Sequence, residues 1–387
     1  MFDYLVIGKG LFGSAAVKYL SREAGRVAVI GPDEAQNIAS HDGVFASHYD
    51  QGRLAGRLGR GAVWTALAEQ SIGAYGQIEA QSGIRFYTPA GRLYAPAASV
   101  DADYLADMAA VYDLDVRHLN ASELQTAFPY LRFPGAEDGL FESAPAGYIN
   151  PRALIRAQLA IAGKQGAAVI REVVTAVEPA GDHLHVRTKE GNVYQARKVL
   201  IAAGAFSNFI HLDGGEKWPL PLRLKTETIL LAETPESEAV RLRDMPAVTY
   251  DIKSPVLGEI YLLPPLLYPD GRYYVKMGCD TAADTFPETA EEIATWFKSG
   301  DSDVHKAELV DAMLSILPDL QARSFKTARC IVTYTTHGRP YIDEIAAGRI
   351  YTGTGGNGTG AKSSDAIGRL AARMMIGDFS NAEFAVN

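Results

Sequence analysis

The chain has 387 residues, of which 47% are hydrophobic and 21% are charged. A globular protein of this size buries roughly three quarters of its unfolded surface, so a small single-core protein is excluded and two or three domains are expected. The formal net charge is −9. Because the arginines are scattered and no concentrated basic segment is present, we do not expect a nucleic-acid partner.

Cysteine content and hydropathy bear on the compartment. The two cysteines, Cys279 and Cys330, argue against a disulfide-stapled secreted protein. No apolar run reaches the roughly 18 to 20 residues of a membrane helix, and residues 1–4 lack the basic start of a signal peptide. We therefore expect a cytoplasmic protein with no membrane partner. The eight histidines show no ligand spacing with Cys, Asp or Glu, so no metal site is predicted.

The first 31 residues have the order strand, tight turn, helix, strand. Apolar residues predict strands over 4–7 and 27–30, and the apolar spacing over 14–22 is helical. The turn between the first strand and the helix contains the three glycines Gly8, Gly10 and Gly13. In a G-x-G-x-x-G turn the first glycine permits the bend, the second lets amides approach a pyrophosphate, and the third allows close helix packing. This pattern predicts a dinucleotide site, and a glycine-rich turn without a ligand is the alternative.

The end of the second strand departs from the usual dinucleotide pattern. An acidic residue normally stands there and holds the ribose hydroxyls. Here that position is Gly31, followed by Pro32, Asp33 and Glu34. Either Asp33 or Glu34 takes the ribose from slightly further along the chain, or the backbone holds it alone.

The remaining pattern alternates between helices and strands. Residues 46–53 predict a polar loop. Helices are predicted over 61–82 and 150–164. Strands are predicted over 86–94, 167–170, 198–203, 228–232, 260–263 and 272–277. Because residues 199–204 have the composition of a buried parallel strand, the chain is expected to leave the nucleotide domain and return to it.

Several motifs occur in the order found in one enzyme family. They are the glycine turn, Ser47-His48 with Arg53 six residues after Ser47, Lys276-Met277-Gly278, Cys330 with Asp343 thirteen residues later, and Gly358-Thr359-Gly360-Ala361-Lys362. On these residues the whole chain resembles the FAD-dependent D-amino-acid oxidase superfamily. It is most similar to monomeric sarcosine oxidase, N-methyltryptophan oxidase and pipecolate oxidase, while residues 336–343 are more similar to the glycine-oxidase branch.

The resemblance implies the fold class and the cofactor. The fold is expected to be α/β, or α+β overall, with a Rossmann-type FAD-binding domain and a discontinuous antiparallel-sheet substrate domain. The FAD-binding domain is expected over residues 1–85, 146–220 and 325–387, and the substrate domain over 86–145 and 221–324. The flavin ring would lie between the two domains.

The resemblance also implies the cofactor-binding residues. Gly8, Gly10 and Gly13 would hold the pyrophosphate, Val174 would offer its backbone to the adenine, and Ser47, Ala203 and Gly204 would contact the cofactor. Gly358, Thr359 and Gly360 would lie near the pyrimidine edge, where helix amides stabilise negative charge. Cys330 matches the residue that joins the flavin through a thioether, and the alternative is a buried, inert thiol. Cys279 has no such match and is expected to be structural.

The catalytic residues implied by the resemblance are Lys276, Arg53, Lys362, Tyr261 and His48. Lys276 matches the lysine that activates oxygen, and strand alternation places it on one face with Tyr274. Arg53 matches an arginine over the flavin face, with a surface arginine as the alternative. Tyr261 and His48 are pocket candidates that ordinary strand and loop residues would equally explain.

The substrate-carboxylate site departs from the family pattern. In sarcosine oxidase an arginine three residues after the flavin-face arginine pairs with the C-terminal lysine to bind the carboxylate, and here that position is Gly56. Lys362 is retained, and Arg57 or Arg339 is a candidate partner. A glycine would also enlarge the pocket, so a substrate bulkier or more acidic than sarcosine is expected.

The sequence therefore predicts an FAD-dependent oxidase of a secondary or primary amino acid. Hydride would pass from the α-carbon to flavin N5, the imine would hydrolyse, and O2 would be reduced to hydrogen peroxide. No general base is evident. The alternatives are a flavin amine dehydrogenase with another electron acceptor, a protein that binds the nucleotide without turnover, and a nicotinamide dehydrogenase.

Overall fold

The computed structural model describes residues 1–23, 25–41, 43–59, 61–95, 99–135, 138–212, 216–217, 220–346 and 348–386. Its strands are β1 Phe2–Ile7, β2 Val27–Ile30, β3 Arg53–Ala55, β4 Tyr87–Thr88, β5 Arg92–Ala95, β6 Val116–Asn120, β7 Asp138–Glu142, β8 Gly147–Ile149, β9 Ala168–Ile170, β10 Val174–Ala180, β11 His183–Thr188, β12 Val193–Ile201, β13 His211–Leu212, β14 Glu216–Lys217, β15 Leu222–Thr234, β16 Ala247–Asp251, β17 Leu257–Leu267, β18 Tyr273–Thr281, β19 Ser324–Thr335, β20 Tyr341–Ala346 and β21 Ile350–Thr354. Its α-helices are α1 Leu11–Glu23, α2 Ala62–Ser82, α3 Ser99–Val111, α4 Ala121–Ala127, α5 Pro151–Lys164, α6 Glu236–Arg241, α7 Ala290–Lys298, α8 Lys306–Ile316 and α9 Gly360–Met375.

The first sheet contains a parallel core with the strand order β9, β2, β1, β12, β21. Strands of such a core are buried on both faces and are therefore continuously apolar. In β1, Val6 packs with helices α1 and α9, whereas Leu5 and Ile7 pack on the opposite face with residues of β10 and β11. This is the arrangement that carries dinucleotides at the carboxyl ends of its strands.

The second sheet has the order β19, β15, β18, β17, β16, β5, β7, β6. All its neighbouring strands are antiparallel except β5 and β16. One face packs on helix α8 through Val275, Met277 and Cys279. Because successive strand residues point to opposite faces, Lys276 and Tyr274 lie on the other face, as predicted.

The α/β fold class with an antiparallel second sheet is confirmed. The structure differs from the sequence prediction in two places. Residues 86–94 form two short strands in different sheets, because Pro89 and Gly91, at φ 81, break the run. Strand β19 pairs with β15 along its length and so belongs to the second sheet, whereas the predicted domain boundary at residue 325 assigned it to the first.

Candidate active site

One cavity of about 920 Å³ extends between the two large sheets. Its walls come from the β1–α1 turn, the loop after β2, strand β3, the middle of the second sheet and the start of α9. The cavity contains the following residues singled out in the sequence: Gly8, Gly10, Ser47, His48, Arg53, Val174, Ala203, Gly204, Tyr261, Cys330, Gly358, Thr359, Gly360 and Lys362. Gly13 lies behind the turn, and Lys276 lies behind the wall.

The glycine turn closes one end of the cavity. Gly8 has φ 100, and a Cβ there would lie 2.3 Å from the Ala202 carbonyl oxygen. A Cβ at Gly13 would lie 1.7 Å from the Gly8 carbonyl oxygen. At Gly10 the nearest atom would be His48 Nδ1 at 3.7 Å, so its backbone faces open space. The first and third glycines are therefore required for packing, and the second keeps the N-terminus of α1 accessible to an anion.

After β2, at Gly31, two acidic side chains lie in the cavity wall close to the glycine turn. A Cβ at Gly31 would lie 3.0 Å from the Lys9 backbone nitrogen. Asp33 forms an ion pair with Lys9, and Glu34 accepts a bidentate pair from Arg152, with Nε 2.8 Å from Oε2. Asp33 and Glu34 both line the cavity.

His48 lies at this same end, beside Gly10. Burial, together with the nearby charges of Arg152 and Lys9, lowers the pKa of His48 to about 3. The ring is therefore neutral at ordinary pH. The sequence grouped His48 with catalytic residues, whereas the structure places it beside the turn expected to hold the pyrophosphate.

The two segments that the resemblance assigned to the adenine and to the rest of the cofactor, residues 173–175 and 203–204, also line the cavity. Val174 begins β10, and the 173–175 segment lines the wall beneath Lys189, whose amide donates to the Val173 carbonyl at 2.8 Å. Ala203 and Gly204 line the cavity where β12 ends and the chain turns into a 3-10 helix. Thr359 is the N-cap of α9, so the positive end of a second helix also faces the cavity.

A buried network of charges lies behind the cavity wall, and Arg53 is the member of it that lines the cavity. Lys276 is completely buried, forms an ion pair with Asp50 and donates to the Gly52 carbonyl at 2.7 Å. Arg53 lies 3.3 Å from Asp50 and donates to the Tyr261 hydroxyl at 2.8 Å. The Asp50 carboxylate therefore compensates two cations, and the Tyr268 hydroxyl also donates to it at 2.9 Å.

These contacts set the protonation states in the network. Burial alone would raise the pKa of Asp50, but attraction to Lys276 and Arg53 outweighs burial and lowers it to about 2. Burial and the charge of Arg53 lower the pKa of Lys276 to about 8, despite its pairing with Asp50. The network of Asp50, Lys276 and Arg53 therefore contains one carboxylate and two cations near neutral pH.

Cys330 lies against this network and opens onto the cavity. Its side chain is 4% exposed, and its Sγ accepts from Arg53 Nη2 at 3.2 Å. The strand is held there by Trp296, whose Nε1 donates to the Cys330 carbonyl at 2.7 Å, and by Ser47, whose hydroxyl donates to the Ile331 carbonyl at 2.7 Å. Cys279, in contrast, lies in the core beneath α8.

Two buried basic side chains, Arg92 and the expected Lys362, line the cavity where a carboxylate-binding pair was predicted. Arg92 on β5 and Lys362 on α9 are 6% and 5% exposed and both line the cavity. Arg92 donates to Thr249 Oγ1 at 2.9 Å, while its buried Nε has no hydrogen-bond partner. Burial and the charge of Arg92 lower the pKa of Lys362 to about 7. Arg92 and Lys362 are therefore candidates for binding an anion in the cavity.

The structure overturns two expectations about this carboxylate-binding pair. Gly56 does not enlarge the pocket, because a Cβ there would lie 2.8 Å from Glu142 Oε2 and 2.9 Å from Arg92 Cδ, so Arg92 and Glu142 fill the space. Arg57 donates to Glu142 instead, and Arg339 pairs with Glu383 at 3.1 Å. Neither Arg57 nor Arg339 lines the cavity.

Sequence reasoning missed four residues of the site: Asp50, Arg92, Glu227 and Glu259. Because residues two apart in a strand share a face, Glu259 could have been placed on the same face as Tyr261. In the same way, Glu227 could have been placed on the same face as Ile229. No local signal points to Arg92, because its position depends on the pairing of β5 with β16. Asp50 lies in a loop whose course depends on tertiary contacts.

Comparison with known proteins decides the family. The model of the family described as FAD dependent oxidoreductase matches residues 3–374. The chain belongs to this family. Monomeric sarcosine oxidase of Streptomyces avermitilis is 26% identical over 97% of this chain and 94% of that protein. N-methyl-L-tryptophan oxidase of Yersinia pestis is 27% identical over 53% of this chain and 54% of that enzyme.

A solved structure agrees with this oxidoreductase in fold. NikD, described as an unusual amino acid oxidase essential for nikkomycin biosynthesis, superposes with a TM-score of 0.77 at 18% identity. The superposition covers 99% of this chain and 97% of that chain. The resemblance deduced from the motifs, to flavin-dependent oxidases of amino acids and amines, is thereby confirmed.

The described residues contain neither a membrane-spanning helix nor a cluster of metal-binding side chains. None of the helices over those residues combines the length and apolar character required to cross a bilayer. Over the same residues, no group of three or more His, Cys, Asp or Glu side chains is arranged to hold a metal ion.

Proposed function

We propose that this FAD-dependent oxidoreductase oxidises a secondary or primary amine that carries a carboxylate and passes the electrons to O2. The supporting observation is the single cavity that joins the glycine turn to the two buried cations Arg92 and Lys362. Its relatives are named for sarcosine and N-methyl-L-tryptophan, which are both amines bearing a carboxylate. An amine bearing a carboxylate therefore matches both the anion site and the family.

The shape and donors of the cavity fit FAD. The N-termini of α1, behind Gly10, and of α9, at Thr359, both face the cavity, where one can receive the pyrophosphate and the other the pyrimidine edge. When bound, FAD supplies the redox chemistry, in which the α-carbon loses a hydride, the resulting imine is hydrolysed by water, and O2 becomes hydrogen peroxide.

The side chains of this protein would orient the substrate. Arg92 and Lys362 would bind the carboxylate, which fixes the direction of the α-carbon–hydrogen bond. Lys276, with Asp50 and Arg53 beside it, would supply positive charge where oxygen is reduced. Arg53, Tyr261 and Cys330 form the adjoining wall of the cavity.

We also propose that Cys330 forms a thioether with the ring methyl of the flavin. The sulfur and the methyl carbon each lose a hydrogen when the bond forms, and the two electrons released leave through the flavin to O2. Arg53, 3.2 Å from Sγ, would stabilise the thiolate even though burial raises the pKa of this thiol. Acid precipitation tests the bond: the yellow colour should stay with the pellet of the wild type and leave that of Cys330→Ser.

One observation favours an electron acceptor other than O2. Lys276 has no exposed surface, and its ammonium is enclosed by Asp50 and the Gly52 carbonyl. Lys276 is not one of the described residues that line the cavity. If its charge is screened from oxygen in this way, the same site would serve a flavin amine dehydrogenase.

The proposed function is tested by mixing the purified yellow protein anaerobically with N-substituted glycines, iminodiacids and D-amino acids. We expect at least one of them to bleach the flavin, and peroxide to form once air is admitted. Bleaching without peroxide would select the dehydrogenase. A protein that stays colourless when FAD is supplied, or a flavin that none of the amines bleaches, would contradict the proposal.

A further inference from the structure

Glu227 is a cavity residue that the proposed reaction does not use. It lies in the middle of β15, opposite Cys330 on β19, and it lines the cavity. Its face of the sheet also carries Ile229 and Leu231, which pack with Cys330. The carboxyl group therefore lies in a partly apolar wall, between the charge network of Arg53 and the cavity.

Unlike Asp50 and Glu142, Glu227 is partly exposed and has no hydrogen-bond or ion-pair partner among the described residues. Asp50 accepts from Lys276 and Tyr268, and Glu142 accepts from the backbone amides of Arg57 and Leu58. Neither oxygen of Glu227 forms a hydrogen bond or an ion pair with any residue that the structure describes. Because Glu227 faces the cavity, a ligand that displaces water there must supply the hydrogen-bond donors that the carboxylate would otherwise lose.

The charged neighbours of Glu227 are already paired with other carboxylates. Lys225, on the same strand, pairs with Asp280 at 2.5 Å and with Asp284 at 2.9 Å. Arg53 on β3 and Lys276 on β18 both pair with Asp50. The other titratable groups acting on it or affected by it are Tyr261, Cys279, Cys330 and Tyr334. Burial raises the pKa of Glu227, and attraction to Arg53 and Lys276 offsets this only in part, so a cationic group in the cavity would stabilise the charged carboxylate.

We propose that Glu227 binds a cationic nitrogen of the substrate. Together with the anion site of Arg92 and Lys362, this would make the cavity selective for zwitterionic amines over neutral amines and simple carboxylates. The inference rests on the proposed function. The nitrogen is either the amine that is oxidised or a second basic group further along the substrate, and the chemistry of recognition is the same for both.

Ligand binding to the flavin-loaded protein tests this inference without turnover, once anaerobic mixing has shown that the ligands used do not bleach the flavin. Dissociation constants are measured from the change in flavin absorbance for two pairs of carboxylates. N,N-dimethylglycine is compared with 3-methylbutanoate, which has a carbon in place of the nitrogen next to the carboxymethyl group. 6-Aminohexanoate is compared with hexanoate, which lacks the distant ammonium group. The first pair probes the amine to be oxidised, and the second probes a distant basic group.

In the wild type we expect the cationic member of one pair to bind at least tenfold more tightly than its neutral counterpart. Glu227→Gln should abolish that preference and leave the affinity for the neutral ligand within about twofold. Glu69→Gln, which removes the same charge from an exposed position on α2, should change neither. Glu227→Asp should retain part of the preference because it keeps the charge.

Several outcomes would overturn the inference. Equal affinities within both pairs in the wild type would do so without any variant. So would a preference that persists unchanged in Glu227→Gln. The proposed function can fail independently of this inference. A protein whose flavin is bleached by none of the amines can still show the charge preference, and an active oxidase can lack it.

Discussion

At Asp50 a single carboxylate compensates two buried cations, and this arrangement determines what substitutions nearby will do. Lys276 is fully buried and Asp50 is 2% exposed. Removing one member of such a pair leaves an uncompensated buried charge, which costs about 3–5 kcal/mol. Any test of Lys276 must therefore separate loss of function from loss of stability.

Lys276→Met makes that separation, because Asp50 keeps its ion pair with Arg53 and is not left uncompensated. We expect the rate of flavin reoxidation by O2 to fall by about 10²–10³, because the positive charge near the developing superoxide is lost. The rate of flavin reduction by substrate should change little. Stopped-flow measurements of the two half-reactions check this, with Asp50→Asn as the control. Unchanged reoxidation would show that Lys276 does not activate oxygen and would favour the dehydrogenase.

Gly56→Ala tests the packing that positions Arg92. The new Cβ would lie 2.8 Å from Glu142 Oε2 and 2.9 Å from Arg92 Cδ, so the arginine must move. We expect the affinity for a simple carboxylate such as 3-methylbutanoate to fall about tenfold and the stability by about 1–3 kcal/mol. Gly73→Ala on α2, where a Cβ would meet nothing within 4 Å, is the matched control. Equal carboxylate affinity in both variants would exclude Arg92 from the anion site.

Among the elements, helix α1 carries the dinucleotide end of the site. Its N-terminus is placed by the Gly8 bend and by the contact between Gly13 and the Gly8 carbonyl. Its other contacts are with α5 and α9, and a Cβ at Gly368 of α9 would lie 2.3 Å from Ala15 Cβ. The helix therefore has little freedom to shift when its first turn is changed.

Two alanine substitutions in this turn should have different effects. Gly13→Ala places a Cβ 1.7 Å from a backbone oxygen, and we expect it to destabilise the apoprotein by about 3 kcal/mol. Gly10→Ala meets only His48, at 3.7 Å, so the apoprotein should keep its stability while the affinity for FAD falls at least about tenfold. Thermal unfolding of the apoprotein and FAD titration check both. Equal FAD affinity in Gly10→Ala and the wild type would place the pyrophosphate elsewhere.

In the whole molecule the site is the seam between two sheets. Arg92, Glu227 and Tyr261 come from the second sheet, whereas Lys362 begins the helix that follows the last strand of the first. Facing sheets from distant parts of the chain thus bring like charges together in a partly dry space. Such an arrangement couples the protonation of the site to the stability of the whole fold.

The pH dependence of stability should report the buried Lys362. Its folded pKa of about 7 lies below its ordinary value of 10.5, so between these pH values the unfolded chain binds more protons. The apoprotein should therefore gain stability as pH rises through this window, by up to about 1.4 kcal/mol per pH unit from this group. Lys362→Met should show a smaller slope in denaturant unfolding at pH 7 to 10. An identical slope would mean that Lys362 is not buried as a neutral amine.

The titration of Lys362 also governs ligand binding, but carboxylate affinity should fall over the pH range in which stability rises. The ammonium form of Lys362 attracts a carboxylate, so affinity for 3-methylbutanoate should decline as pH rises above about 7. Lys362→Arg keeps its charge throughout this range, and its affinity should be nearly independent of pH. A decline of equal size in both proteins would assign the titration to another group.

The sequence by itself determined the features that depend on neighbouring residues. The glycine turn, strand Val27–Ile30 and helix Pro151–Lys164 with its Asn150 cap follow from local spacing, turn chemistry and capping, and the structure has them close to where they were predicted. The placement of Lys276 and Tyr274 on one face follows from strand alternation. The family follows from motifs whose order survives at low identity.

Only the tertiary structure decided which charges meet. Arg92 takes the space at Gly56 because β5 pairs with β16 and β7, and no local pattern encodes such pairings. Loops and strands more than forty residues apart converge on one cavity. For this reason Asp50 meets Lys276, while Glu227 has no hydrogen-bond partner among the described residues. Side-chain spacing fixes the face of an element, but long-range packing fixes what that face meets, and the chemistry of this site depends on the second.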